Sequence, residues 1–148
     1  MKEEKRIYVV VPATVQVPTS YYLHNGKPYV DNSKELRTVL QPAGRQIAQA
    51  CHVVSKLRHE LGLTTMTLEG GRTVTRYEDI ATIILQGRDT KELGHVYSLL
   101  IRQHLKPVVF SDTNVEAYGT YNPVTAMAVL ATPTQVRGIT DYIPLWGS

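Results

Sequence analysis

Residues 7 to 11, Ile7-Tyr8-Val9-Val10-Val11, form an unbroken and mostly β-branched apolar run that Pro12 brings to an end. A strand with one wet face alternates apolar and polar residues, so a run without alternation predicts a strand covered on both faces. A sheet built on such a strand needs a layer on each side, which points to an α/β fold. Residues 80 to 86, Ile80-Ala81-Thr82-Ile83-Ile84-Leu85-Gln86, repeat the pattern and read as a further central strand.

The covering layers are legible as helices. Between Gln41 and Gly62 the period is helical. At about 100° per residue, Ile47, Ala50, Cys51, Val54, Leu57 and Leu61 share one side and are expected to face the core. Gly62 is placed to end this helix as a C′ residue. Over Thr90 to Leu105, Asp89 and Glu92 form a capping-box pattern, and Leu93, Val96, Tyr97, Leu100, Ile101 and Leu105 make the apolar stripe. Val108 to Asp112 reads as a central strand completing a βαβ unit, and Val124 to Thr132 as a strand antiparallel to it. Thr132-Pro133-Thr134-Gln135 opens a short helix that Gly138 closes. The expectation is a single three-layer α/β domain over residues 1–148. Its mixed, mostly parallel sheet has about four strands, with helices on both faces.

Residues 13–40 do not fit that frame. Tyr21-Tyr22-Leu23-His24 and Lys27-Pro28-Tyr29-Val30 flank Asn25-Gly26, the pair best suited to a two-residue hairpin turn, so an inserted β-hairpin or ordered loop is expected there. Its tyrosines suit a satellite cluster packed on the domain, a ligand groove or an oligomer interface. Ser33 is placed to cap a helical turn. Thr65 to Leu68 and Thr73 to Thr75, around Gly70-Gly71, fit either a second small hairpin or an irregular segment.

Composition narrows the classes. Hydrophobic residues at 43% and charged residues at 20% exclude wholesale disorder. A single cysteine, Cys51, forms no internal disulfide and suits a reducing interior. The formal charge of +3 is mildly basic and compatible with a polyanionic partner. MKEEKR does not read as a secretory signal, and no run approaches the ~18 apolar residues of a membrane span, so a cytoplasmic protein is expected.

One row of side chains bears on chemistry. Arg45, Gln49, His52 and Lys56 stand at i, i+4, i+7 and i+11, opposite the apolar stripe of the first helix. The pattern fits either a solvated face or a set of groups acting on one ligand. Asp112 follows an apolar strand, and ligands of open α/β sheets collect at the carboxyl ends of strands; a turn or cap aspartate is the other reading. Cys51 and His52 point about 100° apart on a helix and make no nucleophile–base pair, which leaves Cys51 to the core. His52 and His59 are two turns apart and the other histidines are scattered, so no metal site is expected. Neither a Walker loop nor a Gly-x-Gly-x-x-Gly turn is present, so no cofactor is expected. Lys56, Arg102 and Lys106 are candidate phosphate contacts or solvated charges.

Gly44-Arg45-x-x-Ala48-Gln49-x-x-His52 resembles the first-helix signature of the type II peptidyl-tRNA hydrolases, Gly-Lys-x-x-Ala-Gln-x-x-His, with Arg45 in place of lysine. The resemblance continues through Ile80–Gln86, Thr90–Leu105, Val108–Asp112, Thr125–Ala131 and Ile139-Thr140, and leaves 13–40 aside. It implies that Asp112 matches the aspartate of the family's Asp-Ala-Gly-Arg/x-Thr loop and that Gln49, His52 and Thr125 match its glutamine, histidine and threonine. The following residues, Thr113-Asn114-Val115-Glu116, depart from that loop.

The implied activity is cleavage of the ester between peptide and tRNA by an activated water. Asp112 with His52 would orient or deprotonate the water, Gln49 would position the ester, and Arg45 would pair with a phosphate or the oxyanion. The implied partner is tRNA, and the family's dimers make a homodimer an expectation. Two alternatives stand beside this reading: a non-catalytic RNA- or protein-binding domain on the same scaffold, and a hydrolase of a different ester.

Overall fold

The computed structural model describes residues 3–18, 23–24, 27–28, 36–62, 65–67, 70–71, 73–75, 80–114, 118 and 121–148. The chain begins with β1 (Arg6–Pro12), β2 (Thr14–Pro18), β3 (Leu23–His24), β4 (Lys27–Pro28) and β5 (Leu36–Leu40). α1 (Ala43–Glu60), β6 (Thr65–Thr67), β7 (Thr73–Thr75) and β8 (Thr82–Gly87) follow. The last elements are α2 (Thr90–Arg102), β9 (Val108–Ser111) and β10 (Val124–Ala131).

β1 is buried at every position but Arg6. It lies inside a four-stranded sheet of order β8-β1-β10-β9. β8 runs parallel to it, β10 is antiparallel on its other side, and β9 is antiparallel to β10. Three strands thus share a direction and one opposes them. Ile7, Val9 and Val11 point towards α1 and meet Ala50, Val53 and Leu57. Tyr8 and Val10 point the other way, against Leu93, Val96 and Leu100 of α2. Each fully buried side chain of this size contributes about 1.5–3 kcal/mol through removal from water. This is the three-layer α/β arrangement with helices on both faces. Among the described residues no helix is long and apolar enough to cross a membrane.

The two strands expected at the centre, β8 and β9, are instead the edges. Leu85 and Val108 are buried, but the other apolar residues of these strands are only partly covered, and Ile84 keeps 36% of its surface exposed. The C-terminal residues cover the outer side of β8: Gln86 N–H donates to Pro144 O and Trp146 N–H to Ile84 O, each at 2.9 Å. Such cover removes unpaired backbone groups from an edge strand.

Within 13–40 the described residues pair as strands; the β3–β4 pairing is that of the expected hairpin, and the β2–β5 pairing is an addition to it. β2 pairs with β5, and β3 with β4 in a register that leaves positions 25 and 26 between them. Asn25 and Gly26, the tyrosines Tyr21, Tyr22 and Tyr29, and Ser33 lie outside the described residues. Only Ala13 separates β1 from β2, so the β2–β5 ribbon extends from the carboxyl end of the central strand. Val15 and Val17 pack there against Tyr118, and the Gln16 side-chain oxygen accepts from Thr90 N–H at 2.9 Å, at the start of α2. β6 and β7 form the second small hairpin.

Capping governs the helix ends. Gly62 adopts φ 68° just after α1, as a C′ glycine should. Asp89 caps α2, accepting from Glu92 N–H at 2.8 Å. The reciprocal half of the box falls one residue early, because the Glu92 carboxylate accepts from Arg88 N–H at 3.0 Å. α2 stops at Arg102 rather than at Leu105, because His104 turns into the left-handed region at φ 60°. His104 N–H then bonds Ile101 O and Leu105 N–H bonds Leu100 O, a Schellman motif with histidine where glycine is usual.

No helix forms over 132–138. Thr132 and Gln135 do exchange the expected capping bonds, at 2.9 and 3.3 Å. Beyond them the backbone makes successive i→i+3 turns, Arg137 N–H to Thr134 O and Ile139 N–H to Val136 O. Gly138 at φ 78° breaks any continuation, and burial of Val136 and Ile143 in the α2-side core holds the turns in place.

Replacing His104 by glycine relieves the left-handed strain of a residue with a Cβ. It is expected to stabilise the protein by about 1 kcal/mol, a rise of about 3 °C in Tm, measured by thermal unfolding followed by circular dichroism.

Candidate functional site

α1 begins above the carboxyl ends of β1 and β8, because Gln41 N–H bonds Ala13 O at 2.8 Å directly after β1 closes. Its inner face is Gln46, Gln49, Ala50, Val53 and Leu57. That face is rotated by roughly 60° from the apolar stripe read from the sequence. Ile47 and Leu61 are exposed at 50% and 43% rather than buried, and Cys51 is exposed rather than part of the core. The rotation has a chemical cause. Two glutamines turn inward because their amides find partners from distant parts of the chain, which removes the cost of burying them.

The rotation sets the Arg45–Gln49–His52–Lys56 row over β9 and its carboxyl end. Gln49, only 3% exposed, donates Nε2–H to Asp112 Oδ2 at 2.5 Å. The other oxygen, Asp112 Oδ1, accepts from Asn114 N–H at 2.9 Å. Asp112 N–H itself bonds Pro123 O, so the aspartate backbone is held to the chain entering β10. The His52 ring stacks on Phe110 with centroids 4.8 Å apart and planes 20° from parallel. The Arg45 guanidinium lies 5.7 Å from the centre of the Tyr118 ring, within the range of cation–π attraction. Lys56 Nζ donates to Val109 O at 2.9 Å, on the outer side of β9. The row is therefore neither a bare solvated face nor a free set of ligand groups. Each member is already directed by a contact with β9 or its flanking residues.

Thr125 is fully buried and donates Oγ1–H to Phe110 O at 3.5 Å. It sits at the irregularity in the β10–β9 register between Val124 and Ala126, where its hydroxyl fastens the two strands. Arg102 and Lys106 do not join the row. Arg102 ends α2 in the opposite layer, and Lys106 precedes β9 at the end of the sheet away from Asp112. Glu116 lies outside the described residues. Among the described residues no three His, Cys, Asp or Glu side chains gather as a metal site would require.

Sequence reasoning missed a buried amide network beside this row. Gln41, 1% exposed, donates Nε2–H to Pro12 O at 2.7 Å and accepts from Tyr118 Oη–H at 3.1 Å. The Gln41 backbone carbonyl accepts from Gln46 Nε2–H at 2.7 Å. Gln46 Oε1 in turn accepts from Gln86 Nε2–H and Trp146 Nε1–H, each at 2.8 Å. The available signal was Gln86 closing an apolar strand and two further glutamines, Gln41 and Gln46, opening the helix.

No protein-family profile matches this chain, and no curated protein sequence does. Among solved structures it resembles a protein of unknown function from Agrobacterium tumefaciens strain C58, with a TM-score of 0.56 over 98% of each chain and 10% identity. The two share a fold. At that identity the likeness extends to the α/β architecture and not to the residues of the row.

Gln41→Leu removes the buried hydrogen bonds that the Gln41 amide makes with the Pro12 carbonyl and the Tyr118 hydroxyl. It is expected to cost at least about 2 kcal/mol, read as a lowered urea midpoint with an unchanged slope.

Proposed function

We propose that the end of β9 beneath α1 is a hydrolytic site for the ester of peptidyl-tRNA, working in the cytoplasm with tRNA as its partner. The observation that carries the reading is the Gln49–Asp112 hydrogen bond. It joins the glutamine of the α1 motif to the strand-end aspartate across 63 residues of sequence, at the end of the sheet where α/β ligands bind. In this reading Gln49 holds the carboxylate rather than the ester. Asp112 takes a proton from a water as its oxygen attacks the ester carbonyl. The tetrahedral oxyanion collapses, the 3′ oxygen of the terminal ribose leaves and takes up a proton, and the peptide is released as its carboxylic acid. Arg45 offers a permanent positive charge to the oxyanion or to a backbone phosphate. His52, stacked on Phe110, lines the approach.

A second reading has an observation of its own. Both Asp112 oxygens already accept hydrogen bonds, from Gln49 and Asn114, as they would in an aspartate that only shapes a loop. A non-catalytic tRNA-binding domain would use Arg45 and Lys56 alone.

Release of peptide from purified peptidyl-tRNA separates the two. Under the hydrolase reading, Asp112→Ala lowers kcat by about 100-fold to 10,000-fold. Arg45→Ala chiefly raises KM and flattens the dependence of binding on salt. Tight tRNA binding with no release of peptide would establish the binding domain, and turnover of small esters alone would establish a different substrate. Sedimentation of the same samples tests for a homodimer.

A further inference from the structure

The buried amide network and the row over β9 share one residue, Tyr118. It is fully buried between β9 and β10, and each part of it reaches a different part of the site. Its ring packs with Val15 and Val17 of the β2–β5 ribbon. Its hydroxyl donates to Gln41 Oε1 at 3.1 Å, and Gln41 Nε2–H is fixed in turn on Pro12 O at the end of β1. Its backbone N–H donates to Asn114 O at 2.9 Å, while Asn114 N–H donates to Asp112 Oδ1 at 2.9 Å. The Arg45 guanidinium lies 5.7 Å from the ring centre. Among the described residues the ion pair is Arg88–Glu92, and no carboxylate pairs with Arg45.

We propose that Tyr118 is the positioning residue of this site: its ring aims the Arg45 charge, and its backbone ties the segment that follows Asp112 to the ribbon. The inference rests on the reading of Arg45 as the cation that meets tRNA. A carboxylate partner would orient a guanidinium by neutralising it and occupying its donors. An aromatic face attracts the cation and leaves its charge and its five N–H donors to an incoming anion. A ring can aim a cation only if it is itself held. Here the two valines pack with it and the hydroxyl bond to Gln41 sets its direction, so phenylalanine would supply the face without the tether. The ribbon, which the peptidyl-tRNA hydrolase resemblance leaves aside, thereby becomes part of the site.

Binding of deacylated tRNA to the full chain is measured for the unaltered protein, Tyr118→Leu and Tyr118→Phe, each with Arg45 and with Arg45→Ala. Tyr118→Leu is expected to weaken binding about fivefold when Arg45 is present. In the Arg45→Ala background it has no effect, because a residue that acts through Arg45 has nothing left to aim. Tyr118→Phe, which restores the ring without the hydroxyl, regains the affinity although its Tm falls. Equal losses in both backgrounds overturn the proposal, since a residue that only holds the fold together would give them. If Tyr118→Leu fails to fold by circular dichroism, pentafluorophenylalanine at position 118 takes its place in both measurements. It keeps the shape of phenylalanine and reverses the sign of the ring face. A readout without tRNA separates this proposal from the functional reading: modification of Arg45 by phenylglyoxal, located by mass spectrometry. Its rate is expected to rise at least about twofold in Tyr118→Leu and to stay unchanged in Tyr118→Phe. A protein that shows this pattern but binds no tRNA loses the proposed function and keeps Tyr118 as the residue that directs Arg45. One rate in all three proteins overturns the proposal even where tRNA binds.

Discussion

The structure depends on a central strand with no wet face. Val9, Val10 and Val11 of β1 are at most 1% exposed, and they alternate between two different helices. Burying both sides of a strand requires two covering layers, and two layers require the chain to cross the sheet on each face. α1 crosses on one face between β1 and β8, and α2 on the other between β8 and β9. Because β1, β8 and β9 run the same way, their carboxyl ends lie along one rim. The start of α1, the β2–β5 ribbon and Asp112 all meet at that rim.

α1 does three jobs on three sides of one cylinder. Its inner side packs Ala50, Val53 and Leu57 on the sheet. One flank lays Gln49, His52 and Lys56 along β9, and the other lines a cleft beside β8 with Ile47 and Val54. A helix over an open sheet that extends past it on both sides has two such flanks, and here they differ in chemistry. The polar flank meets a strand end with an aspartate, and the apolar flank meets an edge covered by Pro144 and Trp146.

The sheet and both helices were legible in the amino-acid sequence because long unbroken runs and capping residues are local signals. β1 stood out through residues 7–11, and α2 through Asp89 and Glu92. The β3–β4 pairing was legible for the same reason, in the register of residues 23–24 against 27–28. What depends on partners distant in the chain was not legible. Hydrophobicity alone aimed α1 by Ile47 and Cys51, whereas Gln46 and Gln49 are pulled inward by Trp146, Gln86 and Asp112. The edge positions of β8 and β9 follow from strand order, which apolar content does not encode. The meeting of Gln49 with Asp112 followed from two separate signals, a helix motif and a strand end, whereas Arg102 and Lys106 carried charge without any signal of layer.

The glutamines at the rim have a further property. An amide has two unlike ends, and Gln46 presents its oxygen to two donors, Gln86 Nε2–H and Trp146 Nε1–H, while its nitrogen serves Gln41 O. Turning that amide over would set hydrogen against hydrogen on one side and oxygen against oxygen on the other. Trp146 Nε1–H, which can only donate, and the Gln41 backbone carbonyl, which can only accept, thus hold the Gln46 amide in one orientation, and Gln46 Oε1 in turn sets which end of the Gln86 amide faces it.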